Sequence, residues 1–350
     1  MIEFNQDSQG SINFRPGALA SDNLSKKMYQ AAQALTLASV KGGLQLPGPA
    51  SALARHPYAH LLAAYRTGLA SPGELGDTPL ILAQLPAADV QALSEGKLLV
   101  TQDFRLLPTH ETRGHLFALA PIDGLAEIRF QDDLAWLLAT LGPNWSAFIG
   151  ILSVITFVDV PSTPGLPFFS GSSSLTFGAM HMIQSHKATI LAECITHEAA
   201  HAWLGLVDGN DLLARDMWDE AVPCISPWRE DPRPIGGVVH GVFVFSCVLV
   251  VLAILIECSC EPGEVVATRK RLARIASQVE EGIAVLRVSG LLTEAGEQLC
   301  ADSQARLDGT LAAASDHIKE ARSAVRAEGQ RKQAALNALT EHSHASSKHP

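Results

Sequence analysis

The sequence predicts an α+β fold that is mostly helical, with a small sheet set between N-terminal and C-terminal helical regions. Three observations carry this. The first 140 or so residues are rich in Ala and Leu, with apolar residues three and four apart. From Ile149 to Val160 the texture changes to β-branched and apolar, followed by a turn-rich stretch from Pro161 to Pro167. Beyond Ser185, long helical patterns return and continue almost to the end of the chain.

Taken in order, the runs Leu24 to Val40, Ser51 to Leu69 and Pro86 to Leu93 read as helices. Breaks at Gly42-Gly43, Pro47-Gly48-Pro49 and Pro72-Gly73 separate them. Phe168 to Met182 mixes Ser and Gly with hydrophobics and reads as strand or extended loop. A helix from about Ser185 to Leu206 is closed by Asp208, Gly209 and Asn210. After a Pro/Trp/Arg-rich loop from Ser226 to Gly237 comes the apolar run Val238 to Ile256. Residues 264 to 288 and about 302 to 338 read as further helices, and Glu341 to Pro350 as a polar tail whose three His are solvated. The expected organisation is a helical region over 1–140, a core over 141–262, C-terminal helices over 263–340 and a flexible tail over 341–350. No internal repeat or glycine-rich phosphate loop is visible.

Composition excludes several classes. The 350 residues are 47% hydrophobic and 18% charged, enough apolar material for a buried core, which rules out a disordered or collagen-like chain. A net charge of −10 argues against a nucleic-acid partner, since phosphate binding needs clustered positive charge. Met1 to Asp7 shows no basic stretch followed by an apolar one, so no secretory signal is expected. Six scattered cysteines (Cys194, Cys224, Cys247, Cys258, Cys260 and Cys300) suggest reduced thiols in the cytoplasm rather than a disulfide scaffold. The nineteen uncharged residues from Val238 to Ile256 are long enough to span a bilayer. His240 and Gly241 interrupt the run and no second segment is as apolar, so a buried core helix, without a membrane partner, is the preferred reading.

The most informative string is Thr196-His197-Glu198-Ala199-Ala200-His201. Residues four apart share a helix face, so His197 and His201 can meet one divalent ion. Glu198, one position on, can lie beside that ion and polarise a bound water or hold a ligand. Two His leave the set incomplete. Glu220 lies 19 residues beyond His201, a spacing used by one class of zinc peptidases, but its surroundings, Asp216 to Glu220, read as solvated. His240 lies 39 residues beyond His201, flanked by Gly237 and Gly241, whose small size allows close helix approach. His240 is the preferred third ligand. In the loop before it, Arg229 and the proline-flanked Arg233 suggest recognition of a carboxylate or phosphate, because guanidinium binds such groups bidentately.

Leu191 to His201, taken with Trp228-Arg229, Pro232-Arg233-Pro234 and Gly237 to Val242, resembles the HExxH-type 2-oxoglutarate-dependent peptide β-hydroxylases, over roughly residues 165 to 260. These enzymes are associated with maturation of ribosomally made peptides. The fold expected is a small sheet preceding a zincin-like HExxH helix, and the resemblance implies a site of Fe(II), 2-oxoglutarate and O₂. It also implies hydroxylation of a side-chain β-carbon in a precursor peptide. On that reading His197, His201 and His240 bind iron, Glu198 stands beside it, and Arg233 or Arg229 pairs the distal carboxylate of 2-oxoglutarate. Non-haem iron oxygenases more often use two His and a carboxylate, so a set of three His departs from the common pattern.

Two other classes are weighed against it. A Zn(II) peptidase would use Glu198 as general base and Glu220 or His240 as third ligand. Peptidases with the Glu220 spacing commonly add a downstream Tyr, whereas Tyr29, Tyr58 and Tyr65 all precede the histidines. A membrane or scaffold protein built around residues 238 to 256 would leave the HExxH spacing unexplained.

Overall fold

The computed structural model describes residues 2–6, 11–71, 75–101, 118–119, 124–159, 170–185, 187–207, 212–221, 223–229, 232–258 and 261–313. The fold is α+β and mostly helical, as expected, with 64% of the described residues in helices and only small sheets.

The chain opens with a hairpin, β1 (Glu3–Gln6) against β2 (Ile12–Arg15), paired antiparallel with Phe4 opposite Phe14. Alternation sends Ile2, Phe4, Ile12 and Phe14 inward. The Phe4 and Phe14 rings pack on Phe148, with centroids 4.3 and 5.2 Å away. The reading of 1–140 as helical did not include this pair.

Helix α1 (Ala18–Gly42) extends the predicted helix at both ends and stops at Gly43, whose φ of 67° suits glycine. The stretch predicted as one helix from Ser51 to Leu69 is two, α2 (Ala50–Leu53) and α3 (Pro57–Arg66). The cause is Pro57, which has no N–H to continue α2 but is well placed in the first turn of α3. His56 caps α3 by accepting the Tyr58 N–H at 3.2 Å. With α4 (Thr78–Ala83) and α5 (Ala87–Ser94), these helices enclose a small apolar core around Leu35, Leu53, Leu61 and Leu82.

Helix α6 (Gly124–Ile149) runs across residue 140 and is broken at Gly142, ahead of Pro143, with φ 78° and ψ −176°. The main sheet has the order β3 (Leu99–Val100), β5 (Val154–Asp159), β7 (Ala179–Ile183), β6 (Ser170–Ser172), with β4 (Ala118–Leu119) also on β5. β3–β5 and β5–β7 are parallel, and β6–β7 and β4–β5 antiparallel. Helix α7 (Ala188–Leu204) follows the sheet. A short antiparallel pair, β8 (Pro223–Cys224) and β9 (Arg233–Pro234), then leads into α8 (Ile235–Cys258), α9 (Pro262–Ser289) and α10 (Glu294–Ala313). The last predicted helix is seen only to Ala313; its remainder and the His-containing tail lie outside the described residues, as does Cys260.

Helix α8 is the axis of the larger core. Its 24 residues, with a mean hydropathy of 2.8 over the most apolar 18-residue window, would suit a membrane span by length and composition, yet 72% of that window is buried inside the fold. Helices α7, α9 and α10 all pack against it. A helix apolar on every side is satisfied by such a jacket as well as by lipid. One buried cation crosses the jacket. Arg306 of α10 donates to the Phe4 carbonyl and, at 2.9 Å, to Ser246 Oγ of α8, stitching hairpin, axis and last helix together.

Candidate metal centre

Helix α7 brings His197 and His201 to one face, with their Nε2 atoms 3.2 Å apart. Two nitrogens at about 2.0–2.1 Å from one tetrahedral ion lie roughly 3.3 Å from each other, so this pair is spaced as an ion would need. Helix α8 supplies His240, which lies over His201 with ring centroids 5.3 Å apart and planes 27° from parallel. Its Nδ1 is 3.1 Å from His201 Nδ1. His201 therefore faces one neighbour with each nitrogen, and the rings form a hydrogen-bonded chain. A neutral imidazole donates at one nitrogen and accepts at the other, which makes such a chain self-consistent. Among the described residues, no group of three or more His, Cys, Asp or Glu side chains is gathered around one point. The His197–His201 pair fits a metal as it stands. For His240 to share the ion, a ring must turn so that the nitrogens converge.

The electrostatics favour lone pairs over protons. Burial, reinforced by the Arg271 charge, pushes the His197 imidazole down to about 3. Burial pushes His201 well below the usual range as well, helped by His197, His240 and the Arg233 guanidinium. Both rings are neutral at neutral pH, the form a metal ion requires.

Glu198 points to the sheet. It is 1% exposed, and its two carboxylate oxygens accept from Ser170 Oγ at 2.7 Å and Ser172 Oγ at 2.6 Å. The two serines alternate along β6 and so share a face. Between them, Gly171 lies under His181, whose Nε2 is 2.5 Å from where a Cβ would sit. Sequence reasoning did not find Ser170 and Ser172; the i, i+2 spacing was the only signal.

A second set of residues supports His197. Glu193, one turn earlier on α7, is 3% exposed and receives Arg271 of α9 at 2.5 Å through Nη2 and 3.0 Å through Nε. The Arg271 guanidinium lies 5.9 Å above the Phe245 ring, and Phe245 meets His197 edge-on at 4.9 Å. Trp228 stacks on Phe245 at 5.3 Å with planes 8° apart. A Cβ at Gly241 would lie 2.5 Å from Trp228, and one at Gly282 2.7 Å from it. The glycine at 241 thus admits the Trp228 ring, and Gly237 admits the stem of Arg233 at 3.3 Å; neither serves helix–helix approach as expected.

The predicted anion-binding residues divide. Arg233, half-buried on β9, is near enough for its charge to depress His201. Arg229 is half-buried after the Ser226 turn, and its acidic neighbours Glu230 and Asp231 lie outside the described residues. Glu220 is exposed on a turn and takes part in no hydrogen bond or ion pair among the described residues. A cleft lined by His56, Tyr58, Ile81, Gln84, Leu85 and Pro86 opens among the N-terminal helices and includes none of the predicted site residues.

No family model and no curated protein matches this chain.

Proposed function

We propose that the chain is an Fe(II)- and 2-oxoglutarate-dependent dioxygenase that hydroxylates a side-chain β-carbon of a ribosomally made precursor peptide in the cytoplasm. The observation that supports it best is the meeting of three imidazoles, two of them held neutral, with an arginine close to one. His197 and His201, on a zincin-like helix, would hold the iron, with His240 as third ligand after a turn of its ring. Bound there with 2-oxoglutarate and O₂, the metal would supply the oxidising equivalents for C–H hydroxylation.

The chain's own residues have separable tasks in this reading. Arg233 pairs a carboxylate of the cosubstrate, and a guanidinium suits that planar, two-oxygen partner. Phe245 and Trp228 form a stacked aromatic wall that keeps water from the His197 side. Glu198, held by two serine hydroxyls, fixes the rotation of α7 against the sheet and hence the direction of both histidines. Those hydrogen bonds also weigh against the peptidase alternative, where Glu198 must take a proton from a metal-bound water. The exposure of Glu220 weighs against it as third ligand. The deciding experiment is metal analysis after anaerobic purification, together with 2-oxoglutarate turnover to succinate. Stoichiometric iron with succinate formation is the expected result. Zinc, with no 2-oxoglutarate consumed, would overturn the proposal.

A further inference from the structure

Trp218 is 53% exposed, yet its position is built rather than loose. The segment that carries it is tied to the α9–α10 turn: Arg215 N donates to Leu291 O at 2.9 Å and Thr293 N to Leu213 O at 3.1 Å. Met217 is fully buried, and its carbonyl accepts from Gly236 N at 2.7 Å, in the first turn of α8. A Cβ at Gly236 would stand 2.6 Å from that carbonyl and 3.0 Å from Trp218 Cδ2, so only glycine lets α8 approach. Asp216 takes a φ of 51°, the only positive value at a non-glycine residue among those described. Such backbone persists where surrounding structure enforces it, and it clusters at functional sites. The product of all this anchoring is an indole that leans on the His240 ring, centroids 5.3 Å apart at 61°, and presents its remaining surface to solvent.

The two sides of the histidine cluster therefore differ. The His197 side is closed by Phe245 and Trp228, while the His240 side ends in an exposed aromatic face. The turn that carries it is acidic. Asp216 and Asp219 stand at the two ends of the turn closed by the Asp219 N to Asp216 O bond of 3.0 Å, and Glu220 follows; all three are exposed. The nearby Arg215 turns away, its Nη2 donating to Gly290 O at 2.6 Å. An indole face attracts cations, and carboxylates in the same turn add to the attraction.

We infer that Trp218 is a specificity-determining residue that packs against a Lys or Arg side chain of the peptide substrate, next to the residue held at the histidines. The inference rests on the reading of the histidine cluster as a peptide-modifying site. It can nonetheless be tested without turnover, by selecting a randomised synthetic heptapeptide library for binding to the full-length, metal-loaded protein. The wild type should enrich Lys or Arg over Ala by more than tenfold at one position. Trp218→Ala should lose that enrichment while keeping its metal content and circular dichroism, and Trp218→Phe should keep part of it. Asp216→Asn with Asp219→Asn, which retains the turn's acceptors, should shift the preference from basic toward neutral side chains. A wild-type pool without basic enrichment, or a Trp218→Ala pool identical to wild type, overturns the inference. Basic selection that depends on Trp218 in a protein forming no succinate would uphold it and sink the oxygenase reading instead.

Discussion

Replacing Arg271 with Met removes the only partner that Glu193 has in the described structure and leaves its carboxylate 3% exposed inside the α7–α9 contact. Truncating one member of a buried ion pair typically costs about 3–5 kcal/mol, because the remaining charge is stranded. The Arg271 side chain is 28% exposed, so part of the pair's attraction is already screened, and a loss of about 2–4 kcal/mol is expected. The effect has a pH signature. Burial raises the Glu193 carboxyl above its ordinary value, outweighing the charge and hydrogen bonds of Arg271, which pull it down. A carboxyl that holds its proton more tightly when folded contributes stability at low pH, and this is lost as pH rises through the folded value. Without Arg271 the folded value climbs further, so the variant should be penalised more at about pH 8 than at about pH 5. Urea unfolding followed by circular dichroism measures both quantities. Glu193→Leu added to Arg271→Met should recover at least half the loss, since it removes the stranded charge. A loss below about 1 kcal/mol, no dependence on pH, or no recovery in the double variant would refute the reasoning.

Four predictions concern the histidines and their neighbours. His197→Ala or His201→Ala should abolish stoichiometric metal binding in a protein that stays folded and helical, and full occupancy in either, by metal analysis, would remove the motif from the site. Because His197 is held at about 3, protons should not compete for it until well below the ordinary histidine range, so isothermal titration of Zn(II) into the His240→Ala variant, which leaves the His197–His201 pair, should show affinity nearly flat from about pH 7 to 5; a steep fall over that interval would show that the pair is not held neutral. His240→Ala should lose far more activity than Glu220→Ala, and the reverse ranking would point to a peptidase. Arg233→Ala should raise the 2-oxoglutarate requirement well over tenfold with iron content unchanged, in line with about 2–5 kcal/mol for a stranded carboxylate; Arg229→Ala should do less, and an unchanged requirement in Arg233→Ala would reassign that residue.

What could be read from the chain and what could not divide along contact range. The HExxH spacing sits inside one helix, so the facing of His197 and His201 follows from helical geometry alone, and the 3.2 Å approach is its direct consequence. The apolar run of α8 identifies a helix by composition, and its burial follows from the amphipathic helices available to cover it. The split of the Ser51–Leu69 pattern at Pro57 turned on a local signal that periodicity had masked. The serines on Glu198 lie 26 and 28 residues away, and Arg271 lies 78 residues from Glu193. Nothing in the local pattern distinguishes those partners from other serines and arginines; the topology selects them.

The glycines around His240 show how the same residue types can be noticed for one reason and used for another. Small residues in an apolar helix suggest that a second helix comes close, and α7 does pack on α8. The space at Gly241 and Gly282 nevertheless belongs to Trp228, which enters between α8 and α9 from the loop before β9. Once seated, Trp228 stacks on Phe245, Phe245 meets His197, and Arg271 covers Phe245 while holding Glu193 one turn back on α7. The residues that set the direction of His197 thus come from three helices and a loop, and a bulky side chain at Gly241 would displace all of them by expelling one ring. Trp228 is therefore part of the support of His197, and Arg233, on β9, stands close to His201.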